Sequence, residues 1–296
     1  MSGACADTRD LTRLDFASLC VNGPMSRRFA QVDVFSESPG GGNPVAVVLD
    51  ADGLDTAAMQ RFAAWTNLSE TTFVSPPSAG GDYAVRIFTP DRELPFAGHP
   101  TLGTCHAWLE AGGTAGDVIT QECGAGPVPI RRDDGRLAFA APPLVRTGPV
   151  EAPLVEELAR ILGLRLDEVV DAQWVDNGPN WVGLLLGSAE RVLAVKPARC
   201  PYDVGIVGPC PEGDDAAIEV RAFFPHTGMT VEDPVTGSLN ASLAEWLLRT
   251  GRVTAPYVAR QGTAVGRTGR VHVAQTDDAI WIGGATTTLI AGTVDL

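Results

Sequence analysis

Four side chains in this 296-residue sequence have the types and settings that proton transfer on a small acid requires. They are Glu70 in Ser-Glu-Thr-Thr, His99 in Gly-His-Pro, Asp233 in Glu-Asp-Pro, and Ser238, which follows a glycine. Apolar residues at positions 68 and 73 predict a dry wall around Glu70, and burial raises a carboxyl pKa toward neutrality. Such a carboxylate can take a proton from carbon and return it elsewhere on the same face of a ligand.

The other three side chains are suited to holding a ligand, and each also has a plain structural reading. His99 is predicted to donate to, or orient, a substrate heteroatom, or else only to cap a helix. Asp233 is predicted to bind an amine or hydroxyl, and Ser238 a carboxylate, with helix capping as the alternative for both. A solvated carboxylate beyond a helix end is the alternative for Glu70.

A repeat indicates the elements that position these residues. The pattern Arg-x-Phe-x-Pro at 86–90 recurs at 221–225, and x-Pro-x-x-Gly at 99–103 recurs at 233–237. Each copy predicts a strand, a loop and a helix that starts at Pro100 or Pro234, with Asp233 as an N-cap. Two helix starts that face one cleft favour an anionic ligand, so a small carboxylate is the predicted partner.

The same repeat predicts that the two halves differ at the acid. Aligning Arg86 with Arg221 places Glu70 opposite Gly205, so only the first half carries a carboxylate there. One acid predicts one base. A two-base racemase would use a matched residue from each half, typically two thiols, and the repeat contains no such pair.

Composition excludes several classes of function. The hydrophobic fraction is 45% and the charged fraction 20%, as in globular proteins, and the net charge of −14 argues against nucleic acid or an anionic membrane as a partner. The sequence lacks a long apolar run and a secretory signal near its start, so the cytoplasm is expected. Six cysteines without a C-x-x-C pair and four scattered histidines predict no metal site. Lys196 is the only lysine, which disfavours pyridoxal phosphate, and we predict no cofactor.

Patterning predicts an α+β chain of two lobes. Residues 1–24 have little periodicity and are predicted to be a disordered extension. The Ala-Pro-Pro stretch at 141–143 is the predicted linker, which divides residues 25–143 from a second half that begins at residue 144. Alternating apolar runs at 29–35, 44–49 and 83–88 predict strands. An apolar stripe from Leu154 to Leu162 predicts an amphipathic helix that ends at Gly163.

Five motifs together resemble one family. They are Gly-Asn-Pro-Val-Ala-Val-Val-Leu at 42–49, Asn-Leu-Ser-Glu-Thr-Thr-Phe-Val at 67–74, Arg-Ile-Phe-Thr-Pro at 86–90, Glu-Leu-Pro-Phe-Ala-Gly-His-Pro-Thr-Leu-Gly at 93–103, and Glu-Asp-Pro-Val-Thr-Gly-Ser at 232–238. In this order they closely resemble the PhzF-type phenazine-biosynthesis isomerases, from about Phe29 to the C-terminus.

The resemblance implies the diaminopimelate-epimerase-like fold. In that fold two pseudo-symmetric lobes each wrap a mixed β-sheet or barrel around a central α-helix, and the active site lies between them. It also implies that the last strand or two returns to the first lobe, so that the first lobe comprises residues 25–143 plus about 281–296 and the second residues 144–280. It further implies that the protein is a homodimer. The implied reaction is isomerisation of trans-2,3-dihydro-3-hydroxyanthranilate without cofactor or metal, in which a glutamate shifts a proton and the resulting enol becomes a ketone.

Matched by motif, the family's glutamate is Glu70, and its active-site histidine, aspartate and serine are His99, Asp233 and Ser238. Gly98 and Gly237 would supply backbone donors. Epimerase relatives carry catalytic cysteines at the two helix starts, which this chain lacks. Two other functions stay open on the same fold: a non-catalytic small-acid binder, and an epimerase that uses Glu70 with Asp233.

Overall fold

The structure, a computed structural model, describes residues 25–133, 135–226 and 228–296. The predicted N-terminal extension at 1–24 lies outside these residues. Within the described chain there are five α-helices: α1 Thr56–Thr66, α2 Gly98–Glu110, α3 Ala152–Leu162, α4 Ala189–Ala194 and α5 Gly237–Arg249. None of the helices in these ranges is long and apolar enough to cross a membrane.

The strands fall into two groups along the chain. The first group is β1 Ser26–Val34, β2 Asn43–Val48, β3 Glu70–Ser75, β4 Tyr83–Phe88, β5 Glu93–Leu94, β6 Val118–Cys123, β7 Gly126–Asp133 and β8 Arg136–Ala140. The second group is β9 Arg146–Pro149, β10 Val169–Asp176, β11 Val182–Leu186, β12 Val204–Pro209, β13 Ile218–His226, β14 Met229–Asp233, β15 Tyr257–Gln261, β16 Gly269–Gln275, β17 Ile280–Gly284 and β18 Thr286–Asp295.

Both groups follow the same pairing scheme. In the first, β2–β3 and β4–β6 are parallel, whereas β1–β2, β3–β4, β6–β7 and β7–β8 are antiparallel. In the second, β11–β12 and β13–β15 are parallel, whereas β10–β11, β12–β13, β15–β16 and β16–β17 are antiparallel. Parallel neighbours need a crossover, and helices α1, α2, α4 and α5 lie in these four connections.

Two of the three further pairings, β1–β18 and β8–β17, join the groups. The last strand, β18, runs antiparallel along β1 from Ser26 opposite Asp295 to Val34 opposite Thr286. Strand β9 pairs with β10, and β8 pairs with β17. Strand β17 is hydrogen-bonded to β16 of the second group and to β8 of the first group. The predicted boundary near residue 280 falls at the start of this shared strand. The division into two lobes by residue number stays a prediction.

A central helix fills each half. Leu102 and Cys105 of α2 and Leu243 and Trp246 of α5 have no exposed surface and belong to one continuous apolar cluster. Burying a large apolar side chain contributes roughly 1.5–3 kcal/mol. Sequence periodicity indicates these helices correctly, and α3 ends at Gly163 in the left-handed conformation, as its pattern predicts.

The predicted starts of the two central helices are wrong by a few residues. Helix α2 begins at Gly98, so Pro100 is its third residue, and α5 begins at Gly237, three residues after Pro234. Asp233 is not an N-cap, because it is the last residue of β14 and pairs with Ala222. Proline is tolerated anywhere in the first turn of a helix or just before it, so it marks the region without fixing the first residue.

The predicted contrast between Glu70 and Gly205 is also wrong. Strand pairing places Thr71 opposite Phe88 in β3–β4, and Val204 opposite Phe223 in β12–β13. The two phenylalanines are equivalent in the repeat, so Thr71 corresponds to Val204. The residues before them, Glu70 and Asp203, therefore correspond as well. In this register the connection from β12 to β13 is two residues longer than that from β3 to β4. The alignment of Arg86 with Arg221 therefore does not extend to the residues before these connections.

Candidate active site between the two central helices

The starts of α2 and α5 meet at two glycines. A Cβ built on Gly237 would lie 3.0 Å from Cα of Gly98 and 2.9 Å from the backbone nitrogen of His99. Only glycine permits so close an approach of two backbones. The residues before the two helices, Ala97 and Thr236, make no side-chain cap bond. Two uncapped helix starts thus lie side by side, with backbone N–H groups suited to an anion.

Glu70 opens β3, beside Val45 of the parallel strand β2. Its side chain is only 15% exposed. Burial raises the pKa of Glu70 well above its usual value, and the nearby charge of Asp233 raises it further. Both effects favour the neutral carboxylic acid when the site is empty.

His99 is the second residue of α2, and its side chain is 4% exposed. Burial lowers the pKa of His99 to about 3, although a hydrogen bond to the Pro44 carbonyl opposes this. Its Nε2 lies 3.3 Å from Oε2 of Glu70. The imidazole is neutral, so this contact is not an ion pair. Neither atom has a hydrogen-bond partner in the described part of the chain, which leaves two facing buried atoms for a ligand to satisfy.

The tautomer of His99 follows from its neighbours. Nδ2 of Asn43 lies 3.4 Å from Nδ1 of His99, but its two hydrogens point to Oδ1 of Asp233 at 2.9 Å and to the Val235 carbonyl at 3.0 Å. The hydrogen bond to the Pro44 carbonyl requires a ring N–H, and we assign that hydrogen to Nδ1 because Nε2 has no partner within the described residues. We assign a bare Nε2 facing Glu70, which favours an acceptor role for His99 over the predicted donor role.

Asp233 is 8% exposed and bound by several donors. Besides Asn43, Oδ1 accepts from the Ser69 hydroxyl at 3.4 Å, and Oδ2 accepts from the Thr236 hydroxyl at 2.6 Å. Gln261 supports this arrangement by donating to Oγ1 of Thr236 and to the Asp233 carbonyl. Burial raises the pKa of Asp233 to about 6, and the bonds from Thr236, Asn43 and Ser69 oppose the rise.

Ser238 follows Gly237 at the start of α5. Its hydroxyl oxygen accepts from Nε1 of Trp181 at 3.2 Å, and its carbonyl accepts from Nδ2 of Asn177 at 2.9 Å. The serine hydroxyl is thus oriented from the second group of strands, and its hydrogen remains available. By position in the two helices, Ser238 is the counterpart of His99, since each follows the first glycine.

All six predicted site residues gather at this junction of helix starts. Contacts join Glu70 to His99, and Asn43 links His99 with Asp233, while the two glycines adjoin. Sequence reasoning missed the roles of several partners. These are Asn43, Ser69, Asn177, Trp181, Thr236 and Gln261. Asn43, Ser69 and Thr236 lie inside the family-like motifs, which was the one available signal. Asn177, Trp181 and Gln261 had none.

No group of three or more His, Cys, Asp and Glu side chains within residues 25–133, 135–226 and 228–296 is arranged to hold a metal ion. The site instead presents two carboxyls, a neutral imidazole, a hydroxyl and backbone N–H groups. Such a set can bind a small acid and move a proton on it. Whether the protein works without a metal or cofactor stays a prediction.

The fold, in which two similar halves are each built around a central helix, is the diaminopimelate-epimerase-like fold. The phenazine biosynthesis-like protein family matches residues 32–292. The chain therefore belongs to the phenazine biosynthesis-like (PhzF) family, and it is an isomerase.

Two relatives and one solved structure illustrate the match. Antisense-enhancing sequence 1 of Schizosaccharomyces pombe is 35% identical, over 89% of this chain and 97% of that protein. Trans-2,3-dihydro-3-hydroxyanthranilate isomerase of Pseudomonas aeruginosa is 37% identical, over 83% of this chain and 89% of that protein. The PhzF-family crystal structure from Bacillus anthracis is 24% identical, with a TM-score of 0.78 over 92% of this chain and 100% of that one. The last comparison supports the fold alone.

Proposed function

We propose that this protein is a cofactor-independent isomerase that shifts a proton on a small cyclic or unsaturated amino acid, with Glu70 as the acid and base. The observation that carries the proposal is the buried carboxyl of Glu70, whose pKa is raised and whose Oε2 faces a bare ring nitrogen of His99 at 3.3 Å. The relative from Pseudomonas aeruginosa is named for an isomerisation of this kind, which supports the substrate class.

The chemistry starts with the ionised fraction of Glu70. A raised pKa makes its carboxylate a stronger base, so it takes a proton from a carbon next to the ligand's unsaturated system. The electron pair left behind delocalises over the ligand. Backbone N–H groups at Gly98 and Gly237 stabilise the added negative charge, because they lie at uncapped helix starts.

The second half of the reaction returns a proton from Glu70, which exchanges with solvent before it is transferred. Glu70 is now a carboxylic acid, and Nε2 of His99 lies 3.3 Å from its Oε2. Glu70 then protonates a different carbon on the same face, so the proton count is unchanged. Asp233 stays bound to Asn43, Ser69 and Thr236 and raises the pKa of Glu70 through its charge.

The test is deuterium uptake in heavy water, measured by mass spectrometry with trans-2,3-dihydro-3-hydroxyanthranilate and a panel of related small acids. We expect one added mass unit in the product of the wild-type protein. Glu70→Gln should fold but lower the rate by about 10²–10⁴-fold, the usual contribution of a general acid and base. Glu110→Gln, at the exposed end of α2, is the matched control and should retain activity.

Full exchange activity in Glu70→Gln would refute the assignment of Glu70. Failure of the wild-type protein to label any small acid, despite binding them, would favour the non-catalytic binder. Chiral analysis of the product separates a proton shift from an epimerisation, since an epimerase returns the same skeleton with one inverted centre.

We also propose a cytoplasmic homodimer that needs no metal or cofactor and binds neither nucleic acid nor membrane. The acidic net charge of −14 supports the last two points. Light scattering of the purified protein should give twice the chain mass, and a monomer at micromolar concentration would contradict the dimer. Exchange activity should survive dialysis against a chelator.

A further inference from the structure

Asp203 stands in the second group of strands where Glu70 stands in the first, directly before β12. The equivalence rests on strand register, with Thr71 opposite Phe88 and Val204 opposite Phe223. The two central helices show the same correspondence, since His99 and Ser238 each follow the first glycine. Asp203 and Ser238 together are thus the second-half counterpart of the pair formed by Glu70 and His99.

The carboxylate of Asp203 is half-buried, and it makes no hydrogen bond with any of the described residues. The charged groups near it are Arg92, in the turn between β4 and β5, and Asp176 at the end of β10. Burial raises the pKa of Asp203 to about 6, which Arg92 opposes. A half-buried carboxylate with free lone pairs is unfavourable unless a donor reaches it.

Asp233, in contrast, is already occupied. Its two oxygens receive hydrogens from Asn43, Ser69 and Thr236. The predicted role of Asp233 in binding an amine or hydroxyl stays a prediction, because Oδ2 accepts only one of these three bonds. Of the two acids at Asp203 and Asp233, Asp203 has the greater acceptor capacity left for a ligand.

A second acceptor on the same side also lacks a donor. Asn177 gives its Nδ2 hydrogen to the Ser238 carbonyl, and this fixes its Oδ1 as an acceptor. That oxygen is buried and has no hydrogen-bond partner within the described residues. Asp203 and Asn177 thus contribute two acceptors from the second half of the chain. A ligand group with several hydrogens to donate, such as an ammonium, fits this arrangement.

We propose that Asp203 binds the ammonium group of an amino-acid ligand whose carboxylate lies at the starts of α2 and α5, and that it makes the site specific for amino acids. This inference rests on the proposed function, because it concerns the ligand of the same cleft. Arg92 competes with the ligand for Asp203 and tunes that preference. Asp203 is a specificity-determining residue that transfers no proton.

The experiment measures binding of two probes by calorimetry, without turnover: cis-2-aminocyclohexanecarboxylate and cyclohexanecarboxylate. They differ only in the amine. Wild-type protein should prefer the amino acid by about tenfold or more, as expected for a hydrogen-bonded charge pair. Asp203→Asn should reduce the preference to about twofold or less and leave the affinity for cyclohexanecarboxylate unchanged. Arg92→Gln should increase the preference.

Asp91→Asn is the matched control, because it removes a carboxylate of the neighbouring turn, paired with His226 at 3.2 Å. It should keep the wild-type preference. If Asp203→Asn does not fold, Asp203→Ser serves in its place. A wild-type protein without preference for the amine, or an Asp203 variant that keeps it, overturns the inference. So does an Asp203 variant that keeps the preference and loses deuterium exchange, since Asp203 would then be a second base.

These outcomes are separate from the test of Glu70. Loss of exchange in Glu70→Gln with an unchanged preference in Asp203→Asn leaves the isomerase proposal intact and removes this inference. Retained exchange in Glu70→Gln with a reduced preference in Asp203→Asn would support the role of Asp203 in amino-acid specificity and refute Glu70 as the acid and base.

Discussion

Burial raises the pKa of Glu70 and lowers that of His99, so two groups that would attract each other as ions in water face each other as neutral groups. The carboxylate of Asp233 accepts hydrogen bonds from Asn43, Ser69 and Thr236. Its charge disfavours a second carboxylate beside it. The residues around Glu70 therefore hold a proton on Glu70 rather than on the imidazole.

This burial predicts a pH-dependent change in stability at residue 70. The pKa of Glu70 is higher in the folded than in the unfolded protein, so the folded state binds more protons and its stability falls as pH rises above the usual pKa of about 4.5. Glu70→Gln removes that loss. By calorimetry, we expect its melting temperature to exceed that of the wild type by about 2 °C or more at pH 8, and to match it at pH 4.

Equal melting temperatures at both pH values would indicate that Glu70 titrates as it does in water. Glu110→Gln provides the control, since that carboxyl is 54% exposed.

At the scale of elements, the site depends on two helices that meet at their first residues. Gly98 and Gly237 allow their backbones to touch, and neither helix has a side-chain cap. Strands β3 and β14 deliver Glu70 and Asp233 to the same point. The helix starts thus remain open to a ligand because their usual capping groups are absent.

Gly237→Ala should disrupt this contact. The added Cβ would meet the His99 nitrogen at 2.9 Å and Cα of Gly98 at 3.0 Å, and both are backbone atoms that cannot turn aside. We expect a loss of about 1–3 kcal/mol in the free energy of unfolding and at least tenfold weaker binding of cyclohexanecarboxylate.

Gly187→Ala is the matched control, because a Cβ there meets nothing within 4 Å. Urea unfolding and calorimetry of both variants give the comparison. Unchanged binding in Gly237→Ala would show that the helix starts tolerate separation and do not hold the carboxylate.

At the scale of the whole molecule, the two groups of strands are linked in three ways. Strand β18 pairs with β1, β8 pairs with β17, and the apolar cluster is continuous from Leu102 in α2 to Trp246 in α5. A contact of 3.2 Å between Oδ2 of Asp91 and Nδ1 of His226 also joins them. Neither half completes its sheet and core without strands from the other.

This continuity predicts one cooperative unfolding transition. Differential scanning calorimetry should give a single peak whose calorimetric and van't Hoff enthalpies agree. Fluorescence of the tryptophans, including buried Trp246, should change at the same temperature as the circular dichroism signal. Two resolved transitions would mean that the halves are independent domains joined by a linker.

Much of this architecture could be predicted because apolar periodicity reports burial directly. The repeat at Arg86 and Arg221 indicated paired halves, and the motifs indicated the family and the fold. Register could not be predicted in the same way. Register depends on the lengths of the connections between strands, and the sequence pattern does not report those lengths. Because two extra residues precede β13, the repeat did not show that Asp203 is the counterpart of Glu70.

The contacts among side chains inside the site could not be predicted from the sequence either. Trp181 and Gln261 reach Ser238 and Thr236 from distant strands, and nothing in their local sequence marks them. Helix starts were misplaced because Pro100 and Pro234 are compatible with several positions near a first turn.

The most direct test of the central claim is a carbon-13 NMR titration of glutamate carboxyls in the wild-type protein, with the Glu70 signal assigned by its absence from Glu70→Gln. We predict that this carboxyl titrates well above 4.5 and stays protonated at a pH where exposed glutamates are already ionised. A Glu70 signal that titrates together with the exposed glutamates would contradict the proposal that burial makes this residue the proton carrier.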